Sequence, residues 1–507
     1  MKKIPVILTF ALVALSSCDF LNLTDPDAFD ESKFYQSEED LEGLLASSYQ
    51  AYRNAMNDLF FVTEMKSDNA TTTNVGDNGG LYYTFVSHQV TSSNTKVLDM
   101  YTYFYKIIHR ANLTITHIDD ITWNSTEDRA RVLSEAQFLR ALGHFYLVRL
   151  WGPVTKLDHV VTSTSEANTA KRDSEEDVYQ FIISDLNDVI AQGALPATYA
   201  SGDSMYGHAT LTAAYAILGR VYLQYAATLN HPECYTSAIN ALTKAEEVSG
   251  FAGLELNYSK LFKSENKQNS EIIFSAQYKS TQNECSYFSQ YFQPYGITGL
   301  TSQLSGRGFD TGLGNLYKSF ETTSNGFDKS DRRIATAIVA YTDGTYYTKK
   351  YVSLESSAGY GDNDWYEIRF ADVYLMLAEA YERVGETDKA IEYLNKVRMR
   401  TGNSINDYAT SMTNAQYAAL CPTLRDAIFH ERRVELCFEN HRWFDLQRLY
   451  PDKNDFAAYM RSVQEEHASN KFSDFQAYEV LLPIPYDETF LNPGLGQNDG
   501  YTAYEKE

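Results

Sequence analysis

Aromatic side chains are concentrated in three polar stretches of the sequence, close to side chains that form strong hydrogen bonds. An aromatic ring can cover the apolar C–H face of a sugar, while a guanidinium or carboxylate group pairs with its hydroxyls. Segments of this composition are expected to bind a hydrated, amphipathic ligand such as a carbohydrate. The residues that we predict to contact it on these grounds are Tyr82 and Tyr83 in the first stretch, Tyr287, Tyr291, Tyr295 and Arg307 in the second, and Trp365 in the third.

Catalysis has less support in the sequence than binding. A glycoside hydrolase needs two carboxylates at a defined separation, but a chain with 67 Asp and Glu residues supplies such pairs by chance. The sequence contains no GxSxG, P-loop or dinucleotide-binding motif in a supporting context. We therefore predict no enzyme activity, no catalytic residues and no cofactor, and we keep a surface glycoside hydrolase as an alternative.

One helical segment is densely charged and could be mistaken for a reactive site. Glu435, Glu439, Arg432 and Arg442 are spaced by intervals that place them on one helix face, so we expect them to pair with one another. Such pairs more often fix helix packing than perform chemistry. His430 precedes a glutamate but lacks the second histidine of a zinc-protease helix, and no metal site is predicted.

The net charge of the chain argues against one class of partner. The sequence has 43 basic and 67 acidic residues, a formal charge of −24. Such a field repels the phosphate backbone, so nucleic-acid binding is not expected. The sequence also contains 39 tyrosines, whose flat faces and hydroxyls suit amphipathic ligands, although many of them will pack helices together.

The first residues have the pattern of an export signal. Lys2 and Lys3 precede an apolar run over residues 4–15 that is too short to span a bilayer comfortably. Residues 15–18 match a bacterial lipobox, so we predict that residues 1–17 are a signal peptide. Cys18 then becomes the lipidated first residue and anchors the protein to a membrane.

Beyond Cys18 we expect a single domain over residues 18–507. Residues 18–40 form a tether, and helical periodicity indicates a scaffold over about 41–250 and 367–450. Residues 251–366 are rich in Tyr, Gly, Ser and Thr, and a rigid scaffold with long insertions places binding residues on the insertions.

The scaffold segments contain patterns of tetratricopeptide repeats, which are helix pairs with small residues where the helices cross. One pattern lies over residues 377–397 and another over residues 218–245. Helices at 127–150 and 175–191 could form a third pair. We therefore predict a mostly α fold, a tetratricopeptide-type helical scaffold with large, irregular, aromatic-rich loop insertions.

Four motifs occur in an order that is typical of a known family. They are residues 138–154, residues 369–400, residues 428–448 with their Glu-Arg-Arg centre, and residues 482–501 with their Leu-Pro-Ile-Pro start and Gln-Asn-Asp-Gly-Tyr end. In this order they resemble the SusD-like (SusD/RagB) family of outer-membrane nutrient-binding lipoproteins. The resemblance runs through nearly the whole chain.

This resemblance implies a function that periodicity alone does not. It implies a lipoprotein on the outer surface that binds a glycan and delivers it to a SusC-like TonB-dependent outer-membrane barrel. Residues 64–69 resemble a recurrent segment of the family, so Asp68 and Asn69 are added to the predicted ligand contacts.

Two other functions are compatible with the same sequence. Some members of the family serve peptide uptake, and no loop residue excludes a peptide ligand. A repeat scaffold can also bind protein alone, with no small ligand.

Overall fold

The computed structural model describes residues 35–298, 306–352 and 360–502. Cys18, the predicted signal peptide and most of the predicted tether lie outside these residues. The first half of the described chain is dominated by long helices, which are α1 (Glu38–Val62), α2 (Tyr83–Val86), α3 (Thr95–His117), α4 (Thr126–Trp151), α5 (Thr164–Thr169), α6 (Glu175–Gln192), α7 (Leu211–Thr228), α8 (Cys234–Ser249) and α9 (Tyr258–Leu261).

The second half alternates short and medium helices. These are α10 (Phe288–Tyr291), α11 (Gly314–Ser319), α12 (Ile334–Ala337), α13 (Phe370–Arg383), α14 (Thr387–Arg398), α15 (Tyr408–Ser411), α16 (Ala415–Leu420), α17 (Leu424–Glu435), α18 (Arg442–Leu449), α19 (Lys453–Ser462) and α20 (Tyr486–Leu491). No helix among the residues described here is long and apolar enough to cross a membrane.

Two small antiparallel sheets accompany the helices. Their strands are β1 (Ala70–Thr71), β2 (Ile272–Ala276), β3 (Thr311–Gly312), β4 (Val339–Ala340), β5 (Tyr346–Tyr347) and β6 (Trp365–Arg369). One sheet has the order β1-β3-β5-β4, and the other pairs β2 with β6. The fold is therefore mostly α, with short strands joining distant segments, as the sequence predicts.

Local sequence explains where the long helices begin and end. The hydroxyl of Ser37 accepts a hydrogen bond from the backbone N–H of Asp40, whose carboxylate caps Ser37 in return, so α1 begins with a complete capping box. Ser125 caps α4 in the same manner without the return bond. Helix α4 ends at Trp151, because the next residue, Gly152, has a φ of +73°, which is costly for other residues, and Pro153 follows.

The three predicted helix pairs are present, because α7 packs on α8, α13 on α14 and α4 on α6. Small residues permit the close crossings. A Cβ atom added to Gly219 of α7 would lie 2.5 Å from Cγ of Leu242 on α8. The side chain of Leu242 thus fills the space that glycine leaves, as a tetratricopeptide pair requires.

The C-terminal motif of the sequence packs against the end of α4. The indole N–H of Trp151, at the end of α4, donates to the carbonyl of Pro483 at 2.9 Å. The amide of Asn498 donates to the carbonyls of Trp151 and Leu482 at 2.9 and 2.7 Å. Residues 482–501 thus hold the C-terminal end of α4 through buried hydrogen bonds.

The charged segment around α17 is structural, but its predicted pairing was wrong. Glu435 accepts hydrogen bonds from Arg333, Arg369 and Arg400 at 2.6–2.8 Å, and none of these lies on its own helix. The helical spacing does not continue, because α17 ends at Glu435 and Phe438 has a φ of +60°. The four charged side chains consequently pair with other segments of the chain. Burial alone would raise the pKa of Glu435. The three guanidinium groups outweigh burial and hold this pKa well below its usual range.

Candidate ligand-binding surface

Two of the aromatic loops converge at the C-terminal end of α1. The ring of Phe61 lies 4.6 Å from that of Tyr82 and 6.4 Å from that of Tyr291, measured between centroids. Phe309 lies 4.9 Å from Tyr82 and 5.1 Å from Tyr291, and Tyr287 lies 5.8 Å from Tyr291. The two phenylalanines are buried and the three tyrosines are partly exposed. We call Tyr82, Tyr287 and Tyr291 the aromatic platform.

Backbone pairing brings the two loops together. Strands β1 and β3 pair Ala70 with Gly312, so the loop that follows β1 runs beside the loop that precedes β3. The N–H of Thr73 donates to the carbonyl of Gly308 at 3.0 Å. Gly308 has a φ of +61°, and a Cβ atom there would lie 2.2 Å from Oγ1 of Thr73, so this approach requires glycine.

Helix α1 also fixes the tyrosines of α10. The side-chain oxygen of Asn57 accepts from the N–H of Tyr287 at 3.1 Å, and its amide donates to the carbonyl of Cys285 at 3.4 Å. Tyr291 follows one helical turn later, and its N–H donates to the carbonyl of Tyr287 at 3.0 Å. Both tyrosines are thereby held against a rigid helix.

An ion pair borders one edge of the platform. Nζ of Lys96 lies 2.5 Å from the carboxylate of Asp58 and 3.5 Å from that of Asp99. The same ammonium group lies 5.9 Å from the ring centroid of Tyr82. Burial opposes its charge, but Asp58 outweighs that effect and raises the pKa of Lys96. Burial outweighs Lys96 in turn and raises the pKa of Asp58.

A second ion pair lies among the loop residues beyond β1. The guanidinium of Arg307 lies 3.6 Å from the carboxylate of Asp77 and 5.8 Å from the ring of Phe309. Asn74 donates to the carbonyl of Arg307 at 3.0 Å and to Asp77 at 3.2 Å, which ties the two loops together. The platform therefore has hydrogen-bonding groups of both charges at its margin.

The structure brings four of the predicted contact residues together, namely Tyr82, Tyr287, Tyr291 and Arg307. Tyr295 lies at the edge of this group, where its backbone N–H is 3.4 Å from Oγ1 of Thr73 and 59% of its surface is exposed. Tyr83 is the first residue of α2 and is partly buried against the core. Contact of any of these residues with a ligand stays a prediction.

Three other predicted contacts lie inside the protein, and the candidate surface is revised to exclude them. Asp68 is 1% exposed, and its carboxylate accepts both Nε and Nη2 of Arg442, at 2.7 and 2.8 Å. Asn69 is buried and accepts from Arg433 at 2.7 Å. Trp365 is 1% exposed in β6, because that strand pairs with β2 beneath the helices.

The electrostatics of Asp68 support a structural role. Burial alone would raise its pKa, but Arg433 and Arg442 hold the pKa of Asp68 well below its usual range. The hydroxyl of Tyr459 also donates to this carboxylate at 2.6 Å. Its hydrogen-bonding capacity is thus used within the fold.

Sequence reasoning missed three charged residues at the platform: Asp58, Lys96 and Asp77. Asp58 and Lys96 occur in long helices, where a charged side chain ordinarily faces solvent. Their pairing depends on how α1 packs on α3, which the local pattern does not reveal. Asp77 lies in the first aromatic stretch, and its position near Tyr82 could have indicated that it belongs to the candidate site.

A cleft of about 490 Å³ lies between α1 and the segments that contain Tyr206 and β2. Helix α1 contributes Ser47, Gln50 and Arg53 to its lining, and the opposite wall includes Tyr206 and Gln277. We call it the α1 cleft. None of the platform tyrosines lines this cleft, but α1 contacts both the cleft and the platform.

The described residues contain no group of three or more His, Cys, Asp or Glu side chains placed to hold a metal ion. Their charged clusters are arginine–carboxylate networks, in which the guanidinium groups occupy the positions that a cation would take.

Paired helices with a loop-borne aromatic surface define a tetratricopeptide-type scaffold protein. Two family sequence models match this chain. One, described as the SusD family, matches residues 318–501, and the other, described as starch-binding associating with outer membrane, matches residues 19–223. The chain belongs to the SusD-like family, as its motifs indicate.

Relatives match the chain over nearly its whole length. It is 29% identical to a SusD-like protein of Bacteroides ovatus over 98% of this chain and 97% of that protein. It is 25% identical to SusD-like protein P25 of Formosa agariphila, over 97% of this chain and 98% of that protein.

Solved structures agree with this fold. A laminarin binding SusD-like protein superposes with a TM-score of 0.72 at 25% identity, over 92% of this chain and 100% of that one. The surface glycan-binding protein A of Bacteroides uniformis superposes with a TM-score of 0.75 at 20% identity, over 91% of this chain and 99% of that one, which bears on the fold alone.

Proposed function

We propose that this protein binds a poly- or oligosaccharide on the aromatic platform, as a binding protein without catalytic activity. The observation that supports this most is the convergence of Tyr82, Tyr287 and Tyr291 from two distant loops onto one partly exposed surface. Such rings cover the apolar faces of sugars, and the Lys96–Asp58 pair at the margin can bond with hydroxyls. The laminarin binding relative, whose fold is shared, supports a glycan as the ligand.

The protein would act at the outer surface of the cell and deliver the glycan to a SusC-like TonB-dependent barrel. Membership of the SusD-like family supports this location, since one matching family model is described as associating with the outer membrane. A lipid anchor at Cys18 would hold the protein there, and a tethered binder raises the effective concentration of ligand at the pore.

Isothermal titration of the mature protein in mild detergent tests glycan binding. The panel contains laminarin, xyloglucan, starch and acidic plant and algal polysaccharides. We expect saturable heat with one class, and Tyr291→Ala should weaken that binding by about 0.5–1.5 kcal/mol, the scale of one aromatic contact.

A matched control is Tyr317→Ala, which removes a partly exposed tyrosine whose ring lies 4.9 Å from that of Tyr346, outside the platform. It should leave the affinity unchanged. Equal losses in both variants would place the binding site elsewhere.

The same preparation separates the alternatives. Heat with a peptide digest and none with glycans would indicate peptide uptake, and new reducing ends on a polysaccharide would indicate a glycoside hydrolase. Capture from detergent-solubilised outer membrane should recover a large barrel protein. Failure to recover one would argue against delivery while leaving glycan binding intact.

A further inference from the structure

One face of α1 runs past both the α1 cleft and the aromatic platform. Ser47, Gln50 and Arg53 line the cleft, and Asn57 holds the backbone of Tyr287. Spacings of three and four residues place these side chains on one side of the helix. With Gly43, which also lines the cleft, they cover about 21 Å along the axis at 1.5 Å per residue.

The cleft and the platform adjoin through the segment that precedes α10. Glu284 lines the cleft and lies 4.0 Å from the guanidinium of Arg53. The next residue, Cys285, accepts a hydrogen bond from Asn57, and Tyr287 of the platform follows two residues later. The walls of the cleft are therefore continuous with the backbone that presents the platform.

The cleft offers the same kinds of groups as the platform. Tyr206 is partly exposed and provides an aromatic ring, while Ser47, Gln50 and Gln277 provide hydroxyl and amide groups. The segment that bears Tyr206 packs closely on Gln277, since a Cβ atom at Gly207 would lie 2.4 Å from Cγ of that side chain. The imidazole of His208 is held at 2.7 Å by the buried carboxylate of Glu135.

We infer that the glycan-binding surface continues from the platform into the α1 cleft, so that an extended oligosaccharide lies along α1 with its two ends in the two places. This inference rests on the proposed function. It adds a second subsite, centred on Tyr206, and it assigns the protein an oligosaccharide of several residues as its ligand. Mono- and disaccharides would occupy one subsite at a time and bind weakly.

The test uses chain length as the variable. Oligosaccharides from disaccharide to heptasaccharide, prepared from the polysaccharide that binds in the panel above, are titrated into the mature protein in detergent. Affinity should continue to rise with length beyond the platform. Tyr206→Ala should weaken binding of the heptasaccharide by about three- to tenfold and leave that of a platform-length trisaccharide unchanged.

Two further variants keep the test decisive. Tyr206→Phe retains the ring and should bind like the parent. Gln50→Ala changes an exposed side chain on a helix, so it removes a cleft amide without loss of folding. It should weaken the binding of long oligosaccharides only, and it replaces Tyr206→Ala in the test if that variant does not fold.

The outcomes distinguish this inference from the proposed function. If the heptasaccharide binds the parent, Tyr206→Ala and Gln50→Ala equally while Tyr291→Ala weakens binding, the cleft subsite is wrong and the platform stands. If the cleft variants weaken binding and Tyr291→Ala does not, the platform is wrong, and so is the inference of one surface that continues from it into the cleft. If no glycan binds the parent, both proposals fall.

Discussion

Asp68 and Arg442 form a two-point ion pair inside the protein, with Nε and Nη2 of the arginine 2.7 and 2.8 Å from the two carboxylate oxygens. The residues are 374 positions apart in the chain. This pair joins the segment before β1, which positions one aromatic loop, to the first residue of α18. The pair therefore fixes the backbone that leads into β1 against α18.

Asp68→Asn should therefore destabilise the fold without changing the ligand surface. Removing one partner leaves a buried guanidinium without its countercharge, so we expect a loss of about 3–5 kcal/mol in the free energy of unfolding. Urea denaturation measures it. Asp77→Asn breaks the more exposed pair with Arg307 and should cost less than about 1 kcal/mol. A loss of glycan affinity in Asp68→Asn with unchanged stability would contradict the structural role.

Neutral glycans should bind better than acidic ones. Lys96, Arg307 and Arg53 are each paired with a carboxylate, so none of these three is free for a uronate or sulfate group. Titration of the neutral ligand and of its carboxymethylated form compares the two affinities. Added salt should reduce the difference in affinity between the neutral and the carboxymethylated ligand, because it screens the exposed charges.

A charge variant sharpens that comparison. Asp77→Asn frees Arg307 and should improve binding of the carboxymethylated ligand by about two- to fivefold, the scale of an exposed ion pair. Asp188→Asn makes the same change in net charge on the exposed face of α6 and should improve nothing. Stronger binding of the acidic form by the parent protein would show that the pairing does not control selectivity.

The contribution of His144 to stability should decrease in mild acid. This side chain is buried, its Nε2 accepts the N–H of Leu157 at 3.1 Å, and burial lowers the pKa of His144 to about 4. The unfolded chain takes up a proton near pH 6.5 and the folded protein does not, so stability is lost as the pH falls from about 6.5 towards 4. The expected loss is about 1–2 kcal/mol by pH 5.

The measurement compares His144→Gln with the parent by urea unfolding at pH 7 and 5, and the variant should lose less stability. The comparison is necessary because burial raises the pKa of Glu64, Asp364 and Glu479 to about 7, which favours the folded state at the lower pH. His109→Gln, at an exposed position of α3, is the control and should behave like the parent. Equal losses of stability between pH 7 and 5 in all three proteins would exclude His144 as an acid-sensitive group.

The crossing of α7 and α8 should not accept a larger residue. Gly219→Val would bring a side chain onto Leu242 and cost about 1–3 kcal/mol of stability by overpacking. Gly43→Ala is the matched control, because its added Cβ meets no atom within 4 Å and α1 continues through it, and it should stabilise by about 0.4–1 kcal/mol. If Gly219→Val is neutral in thermal unfolding, the crossing is looser than the structure indicates.

The helices and their pairing could be predicted because they depend on local pattern. The spacing of apolar residues and the small residue at position 219 are visible within short segments of the sequence. Gly152 and Pro153 likewise mark the end of α4. The short strands β1 and β3 have two residues each and give no such signal. They pair only because the helices bring distant segments together.

The candidate site was predicted by region and only partly by residue. Tyr82 and Tyr291 were predicted because aromatic residues in polar loops are informative by composition, and their contact with a ligand stays a prediction. Asp68 has the same polar character as a ligand contact, and its burial depends on Arg442, far along the chain. Asp58 resembles an ordinary surface residue of a helix until Lys96 is placed beside it.

The hydrogen bond from Trp151 to Pro483 spans 332 residues, and its consequence concerns the order in which the molecule matures. A repeat array can fold outward from any pair of neighbours. Here the end of the fourth helix is completed by a segment that is synthesised 332 residues later, and closing so large a loop is slow. We therefore expect folding to await residues 482–501, so that the fold and its aromatic platform form late and all at once.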